Sequence, residues 1–112
     1  MGIDVNVKDE LNDFYVRVKG GVSNLIGGAA ADSAVIFNAT GEPVTFFAYN
    51  YVDTVYWIPA QKTFVPSGKY GTVAASGEHF KIHPNDNENE EYLVEPGKAY
   101  VYAGRGELTE AE

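Results

Sequence analysis

Tyr49, Tyr51, Tyr56 and Trp57 are the side chains whose type and spacing best suit ligand contact. They belong to one aromatic stretch, residues 44–59, which also holds Phe46 and Phe47. Tyrosine and tryptophan offer a flat apolar body and a polar tip, which suits a half-wet surface that meets a sugar ring, a lipid headgroup or another protein. A strand sends alternate side chains to opposite faces. Phe46 and Ala48 then point one way, and Phe47, Tyr49 and Tyr51 the other. Aromatics on both faces mean either that both faces are covered or that one is adhesive. Burying an aromatic ring stabilises a small domain by about 1.5–3 kcal/mol, which favours Phe46, Phe47 and Trp57 as core. Tyr49 and Tyr51 stand between core and platform, because their hydroxyls need partners or water.

Other groups of reactive side chains carry weaker signals. The run Asn85-Asp-Asn-Glu-Asn-Glu-Glu91 supplies hard oxygen ligands, and Asp86, Glu88 and Glu90 are its candidate calcium ligands. It lacks the spacing and glycine of an EF-hand loop, and a solvated, self-repelling loop is the favoured reading. His79 and His83 lie four apart on a predicted strand, where the rise separates their Cα atoms by about 13 Å. That is too far for one zinc ion, so both are expected as exposed surface histidines. Asn38-Ala-Thr40 is a glycosylation sequon, meaningful only in an exported protein. Ser76 and His79 are close in sequence, but proximity is not triad geometry. The chain has no phosphate-cradling glycine motif, HExxH or nucleophile elbow. No catalytic residue is assigned, and the expectation is a protein that is not an enzyme.

Composition narrows the partners. The 112 residues carry a net charge of −8, so the basic face that nucleic-acid recognition requires is missing. Attraction to anionic lipid is disfavoured on the same ground. The charge is uneven: Asp86, Glu88, Glu90, Glu91 and Glu95 crowd one segment, whereas residues 43–83 are nearly neutral. There is no cysteine, which excludes disulfides, thiol chemistry and Cys-based zinc sites. No signal peptide is visible and no apolar run reaches transmembrane length. The compartment stays open: cytoplasmic, or exported without a visible signal.

These side chains need a scaffold. From Ser33 onward, apolar runs and alternating segments separated by turn residues predict an all-β fold, an antiparallel β-sandwich or small barrel of about eight or nine short strands. Its strands fall at residues 34–39, 44–51, 54–58, 61–65 (an edge segment), 70–75, 79–83, 92–94 and 99–103. Pro66-Ser-Gly68 and Pro96-Gly97 are matching turns. Residues 1–106 form a single domain, and 107–112 an acidic tail expected to fray. The Gly/Ala-rich bridge at 20–32 reads as a loop with one helical turn at Ser23–Ile26. Residues 3–19 admit two readings. Alternation of Ile3, Val5 and Val7, and of Phe14, Val16 and Val18, gives a hairpin. Val7, Leu11, Phe14, Val18, Val22, Leu25 and Ala29 instead form a helical stripe, with Asn6 as a candidate N-cap. The hairpin is favoured, because the helix would put Val16 on its polar face and Gly20 and Gly21 in its interior, each glycine costing about 1 kcal/mol.

The segment Phe47-Ala-Tyr-Asn-Tyr-Val-Asp-Thr-Val-Tyr-Trp57 resembles the aromatic membrane-binding patch of actinoporins and the related fungal fruit-body lectins. The resemblance implies a β-sandwich that binds phosphocholine headgroups or sugars through Tyr49, Tyr51, Tyr56 and Trp57. The chain departs from those families in being shorter and acidic, and in showing no convincing N-terminal helix to insert. The expected function is therefore a non-catalytic binding module for a glycan or lipid headgroup, lectin-like or toxin-like. The alternative is a structural, self-associating protein whose aromatic face is a homo-oligomer interface.

Overall fold

Val7, Leu11, Phe14 and Val18 are buried along one stripe, and that stripe decides the N-terminal region. In the computed structural model, which describes residues 2–28, 32–52, 56–74 and 80–111 (the side chains of 50–52, 56–61 and 74 excepted), residues 3–19 are not a hairpin. A 3-10 turn at Val5–Val7 leads into helix α1, Lys8–Lys19. Both objections to a helix lapse. Val16 is 67% exposed on the outer side. Gly20 is the C-cap, and Gly21, at φ 106°, lies beyond it. Their amides donate to the carbonyls of Arg17 and Val18 at 3.1 and 2.9 Å, which satisfies the end of the helix. Asp9 and Glu10 in the first turn and Arg17 and Lys19 in the last complement the helix dipole. The N-cap is Val7, not Asn6. Helix α2, Ser23–Ile26, is the helical turn expected in the bridge.

Eight strands follow among the described residues: β1 Ser33–Asn38, β2 Val44–Val52, β3 Tyr56–Val65, β4 Tyr70–Ala74, β5 Phe80–Pro84, β6 Tyr92–Leu93, β7 Ala99–Tyr102 and β8 Leu108–Ala111. They form two four-stranded sheets, ordered β4-β1-β7-β8 and β3-β2-β5-β6. The architecture is a β-sandwich with one helical cover, and it is not a closed barrel. One pairing departs from an all-antiparallel arrangement: β1 and β7 run parallel, with Val35 opposite Ala99 and Phe37 opposite Val101. The expected segments at 54–58 and 61–65 join into one strand, β3. Its register shifts opposite Ala48 and Tyr49, beside Pro59. Proline is tolerated there because β3 is an edge strand and the irregularity relieves the ladder. Leu108–Ala111, in the stretch expected to fray, is an edge strand paired with β7, and Ala111 is buried.

Burial on both faces explains the continuous apolar run of β1. Ala34 and Ile36 face the second sheet, with Phe46, Ala48, Ile82, Tyr100 and Tyr102. Val35 and Phe37 face α1, with Leu11, Phe14, Val18, Ala99 and Val101. A strand covered on both sides reads as an unbroken hydrophobic run. Helix α1 thus spends its apolar stripe on the first sheet. The second sheet has no such cover among the described residues.

Asn38 locks the end of β1. It is fully buried. Its Nδ2 donates to the carbonyls of Glu42 at 2.6 Å and Val65 at 2.9 Å. Its Oδ1 accepts from the Thr40 amide at 3.0 Å and the Thr40 hydroxyl at 2.8 Å. The sequon is therefore a structural joint: the folded domain does not present Asn38 to a glycosylating enzyme. Gly68 closes the neighbouring turn at φ 81°, where a Cβ would also lie 3.2 Å from Val7 Cγ1.

Candidate functional site

The uncovered face of the second sheet is built by alternation. Phe46 and Ala48 point into the core, so Phe47 and Tyr49 point outward and are half-buried. Register places Phe47 beside His83 and Tyr49 beside Lys81. Phe64 and Leu93 lie on the same face and are 64% and 72% exposed. Phe47, expected as core, is thus an outer-face residue.

A tight turn then brings the acidic segment over this face. Asn85 and Asp86 adopt positive φ, 54° and 57°, and the Asn87 amide donates to the Pro84 carbonyl at 3.1 Å. This is a type I′ turn, which asparagine and aspartate tolerate better than other side chains. Asn85 stitches it to β2. Its amide donates to the Thr45 carbonyl at 2.6 Å, and its Oδ1 accepts from the Thr45 amide at 3.0 Å. Asp86 consequently sits where it accepts the Tyr49 hydroxyl at 2.5 Å. That hydrogen bond, with lesser contributions from burial and nearby negative charge, raises the pKa of Tyr49. The acidic segment is a folded bracket for Tyr49, not merely a solvated loop.

His83 is buried, not an exposed surface histidine. Its ring stands nearly perpendicular to that of Tyr49, centroids 5.1 Å apart. Nδ1 lies 2.9 Å from the Asn87 carbonyl. A carbonyl only accepts, so the partner assigns the proton to Nδ1. Nε2 faces Glu91 at 3.5 Å, and Lys81 Nζ lies 2.8 Å from the same carboxylate oxygen. The Lys81 contact holds Glu91 below the usual glutamate pKa. Tyr49, Lys81, His83, Asp86 and Glu88 together line a shallow recess of about 220 Å³.

Of the four aromatic candidates, Tyr49 is placed at this recess. Tyr51 pairs with Trp57, and Val52 with Tyr56, across β2 and β3. The side chains of Tyr51, Tyr56 and Trp57 lie outside the described residues, as does His79. The three calcium candidates do not form one cluster: Asp86 and Glu88 share the Tyr49 recess, and Glu90 does not. Asp86 holds Tyr49, Glu88 lines the recess, and Glu90 turns into the sandwich. The described residues contain no group of three or more His, Asp or Glu placed to hold a metal ion. No helix among them is long and apolar enough to cross a membrane.

Glu90 makes a second cluster that the sequence reading missed. It is 8% exposed, and one oxygen, Oε2, accepts both the Tyr92 hydroxyl at 2.6 Å and the Tyr102 hydroxyl at 2.5 Å. Tyr92 in turn accepts the Gly106 amide at 2.7 Å. The usable signal was Tyr100 and Tyr102 alternating on an apolar strand, since a tyrosine facing a core needs a partner for its hydroxyl. Burial, then the hydrogen bond to Glu90, pushes the Tyr92 pKa up to about 12 from the usual 10.0. Tyr102 is raised by the same causes. A group whose folded pKa is raised adds stability that is complete below its unfolded pKa and lost as pH climbs through the folded one. The melting temperature is therefore expected to fall steeply as pH rises from 10 to about 12. Tyr92→Phe should flatten that slope, and an unchanged slope would remove Tyr92 as its cause.

In comparisons with known proteins, no family model, curated protein or solved structure matches the chain.

Proposed function

We propose that the protein is a non-catalytic binding module that takes a glycan at the Tyr49 recess. The observation that carries this reading is the bracket of Asp86 on Tyr49 at a half-exposed position of an uncovered sheet face. A ring held at a fixed angle offers an apolar surface to the C–H face of a sugar at little entropic cost. Asp86, Glu88 and Lys81 around the recess offer acceptors and a donor for hydroxyl groups. A neutral sugar also suits a chain of net charge −8 better than an anionic lipid surface. The resemblance of residues 47–57 to sugar- and phosphocholine-binding aromatic patches supports the same class of ligand.

Tyr49→Ala is expected to weaken glycan binding by about tenfold or more, measured by glycan array and then by calorimetry on the best hit. The side chain is only half-buried, so the circular dichroism spectrum should be unchanged. Tyr49→Phe keeps the ring but loses the Asp86 anchor, and should fall between. Full binding by Tyr49→Ala would sink the reading. Binding to phosphocholine vesicles and to no glycan would move the site to the lipid-headgroup class.

A second reading has its own observation: Phe64 and Leu93 leave exposed apolar area on the same face. A concentration-dependent dimer in sedimentation, abolished by Phe64→Ser, would assign this face to a second copy of the chain.

A further inference from the structure

The Glu90 cluster borders a second recess, of about 240 Å³, lined by Asn89, Glu90, Glu91, Tyr92, Arg105 and Gly106. Glu91 directs its carboxylate to Lys81 and His83 instead. Glu90 is different. Oε2 takes both tyrosine hydroxyls, whereas Oε1 accepts no hydrogen bond from a described residue. No side-chain oxygen or nitrogen that is sealed from solvent lacks a partner among the described residues. Oε1 therefore keeps contact with solvent, and the recess is the opening that Glu90 lines. No cation among the described residues lies within 4.0 Å of the Glu90 carboxylate. The two tyrosine hydroxyls satisfy Oε2, and Oε1 is the acceptor of this carboxylate left open to a ligand. Arg105 lines the same recess and makes no ion pair with any described residue.

A carboxylate and a guanidinium thus share one recess without meeting. A ligand that carries an ammonium and a carboxylate a few ångströms apart would neutralise both. The volume is below the roughly 300–1,000 Å³ of sites for drug-sized molecules, so such a ligand is small. We propose that this recess binds a free α-amino acid, its ammonium group on Glu90 Oε1 and its carboxylate on Arg105, with Tyr92 as the wall. The site is separate from the Tyr49 recess and does not depend on its function.

Titration of the ¹⁵N-labelled protein with alanine tests it. Saturable shifts are expected at the amides of Tyr92, Arg105 and Gly106. Alaninamide lacks the carboxylate and N-acetylalanine lacks the ammonium, so each should bind about tenfold or more weakly. Arg105→Gln alters an exposed side chain, is expected to fold normally, and should lose alanine binding to a similar extent. Glu90→Gln should do the same, and if it unfolds, the arginine variant still decides. Tyr49→Ala should leave the response untouched. Absence of saturable shifts, equal shifts with N-acetylalanine, or full binding by Arg105→Gln would overturn the proposal.

Discussion

Phe14→Ala is expected to destabilise the fold by about 3–5 kcal/mol. The Phe14 side chain is 1% exposed, and its ring packs against Phe37 at 5.1 Å and Tyr70 at 5.6 Å between centroids. Truncation removes the contacts that anchor α1 to the first sheet and leaves a cavity that rigid strands on one side cannot fill. Val16→Ala, on the exposed side of the same helix, should change stability by no more than about 0.5 kcal/mol. The pair is diagnostic because a hairpin would set Phe14 and Val16 on one face, whereas a helix separates them. Urea unfolding of both variants measures the difference. Equal effects would refute the helix-on-sheet packing.

Asn38→Ala is expected to cost about 2–4 kcal/mol. The loss is not one hydrogen bond but the pairing of several groups at once. The Val65 carbonyl loses its side-chain donor and the Thr40 amide loses its acceptor, while the Thr40 hydroxyl and the Glu42 carbonyl keep their bond to each other, at 2.9 Å. Burial makes the loss at Val65 expensive, since water cannot replace the missing donor there without opening the turn. Asn38→Asp should be at least as damaging, because it keeps the acceptors, removes both donors and sets a carboxylate against two carbonyl oxygens. Thr40→Ala, which spares the Val65 bond, should cost less than either. Denaturant midpoints in that order would establish the joint, and a near-neutral Asn38→Ala would dismantle it.

Much of the sandwich is visible in residue order, because β-strands after Ser33 announce themselves by alternation and by turns such as Pro66-Ser-Gly68. The N-terminal region is not visible in the same way. Val5, Val16 and Ile3 are apolar but exposed, so they complete a false period of two over the true helical stripe. Gly20 and Gly21 look like interior breakers only until the helix is seen to end before them. The parallel pairing of β1 with β7 has no local signature, since it depends on how distant segments stack. At the site, Tyr49 is legible from strand alternation. Its bracket is not, because Asp86 reaches it through a turn with two left-handed residues, and nothing in the spacing of an acidic run distinguishes that turn from a solvated loop. His83 and Glu90 were hidden for a related reason: their partners, Asn87, Tyr92 and Tyr102, lie on other elements or across a turn, and polar residues are ordinarily read as exposed until such partners appear.

The parallel seam between β1 and β7 also sets an order of events. Val35 meets Ala99 and Phe37 meets Val101, so the centre of the first sheet joins the earliest strand to the penultimate one. Closing so long a loop carries an entropic cost before any contact compensates it. Strands β2 and β3 pair as sequence neighbours, Val52 opposite Tyr56, and the pairing of β2 with β5, Asn50 opposite Phe80, then shortens that loop. The seam at the heart of the first sheet cannot close before the C-terminal strands are made, and until then β1 has β4 along one edge and α1 over one face but no partner along the edge that β7 takes.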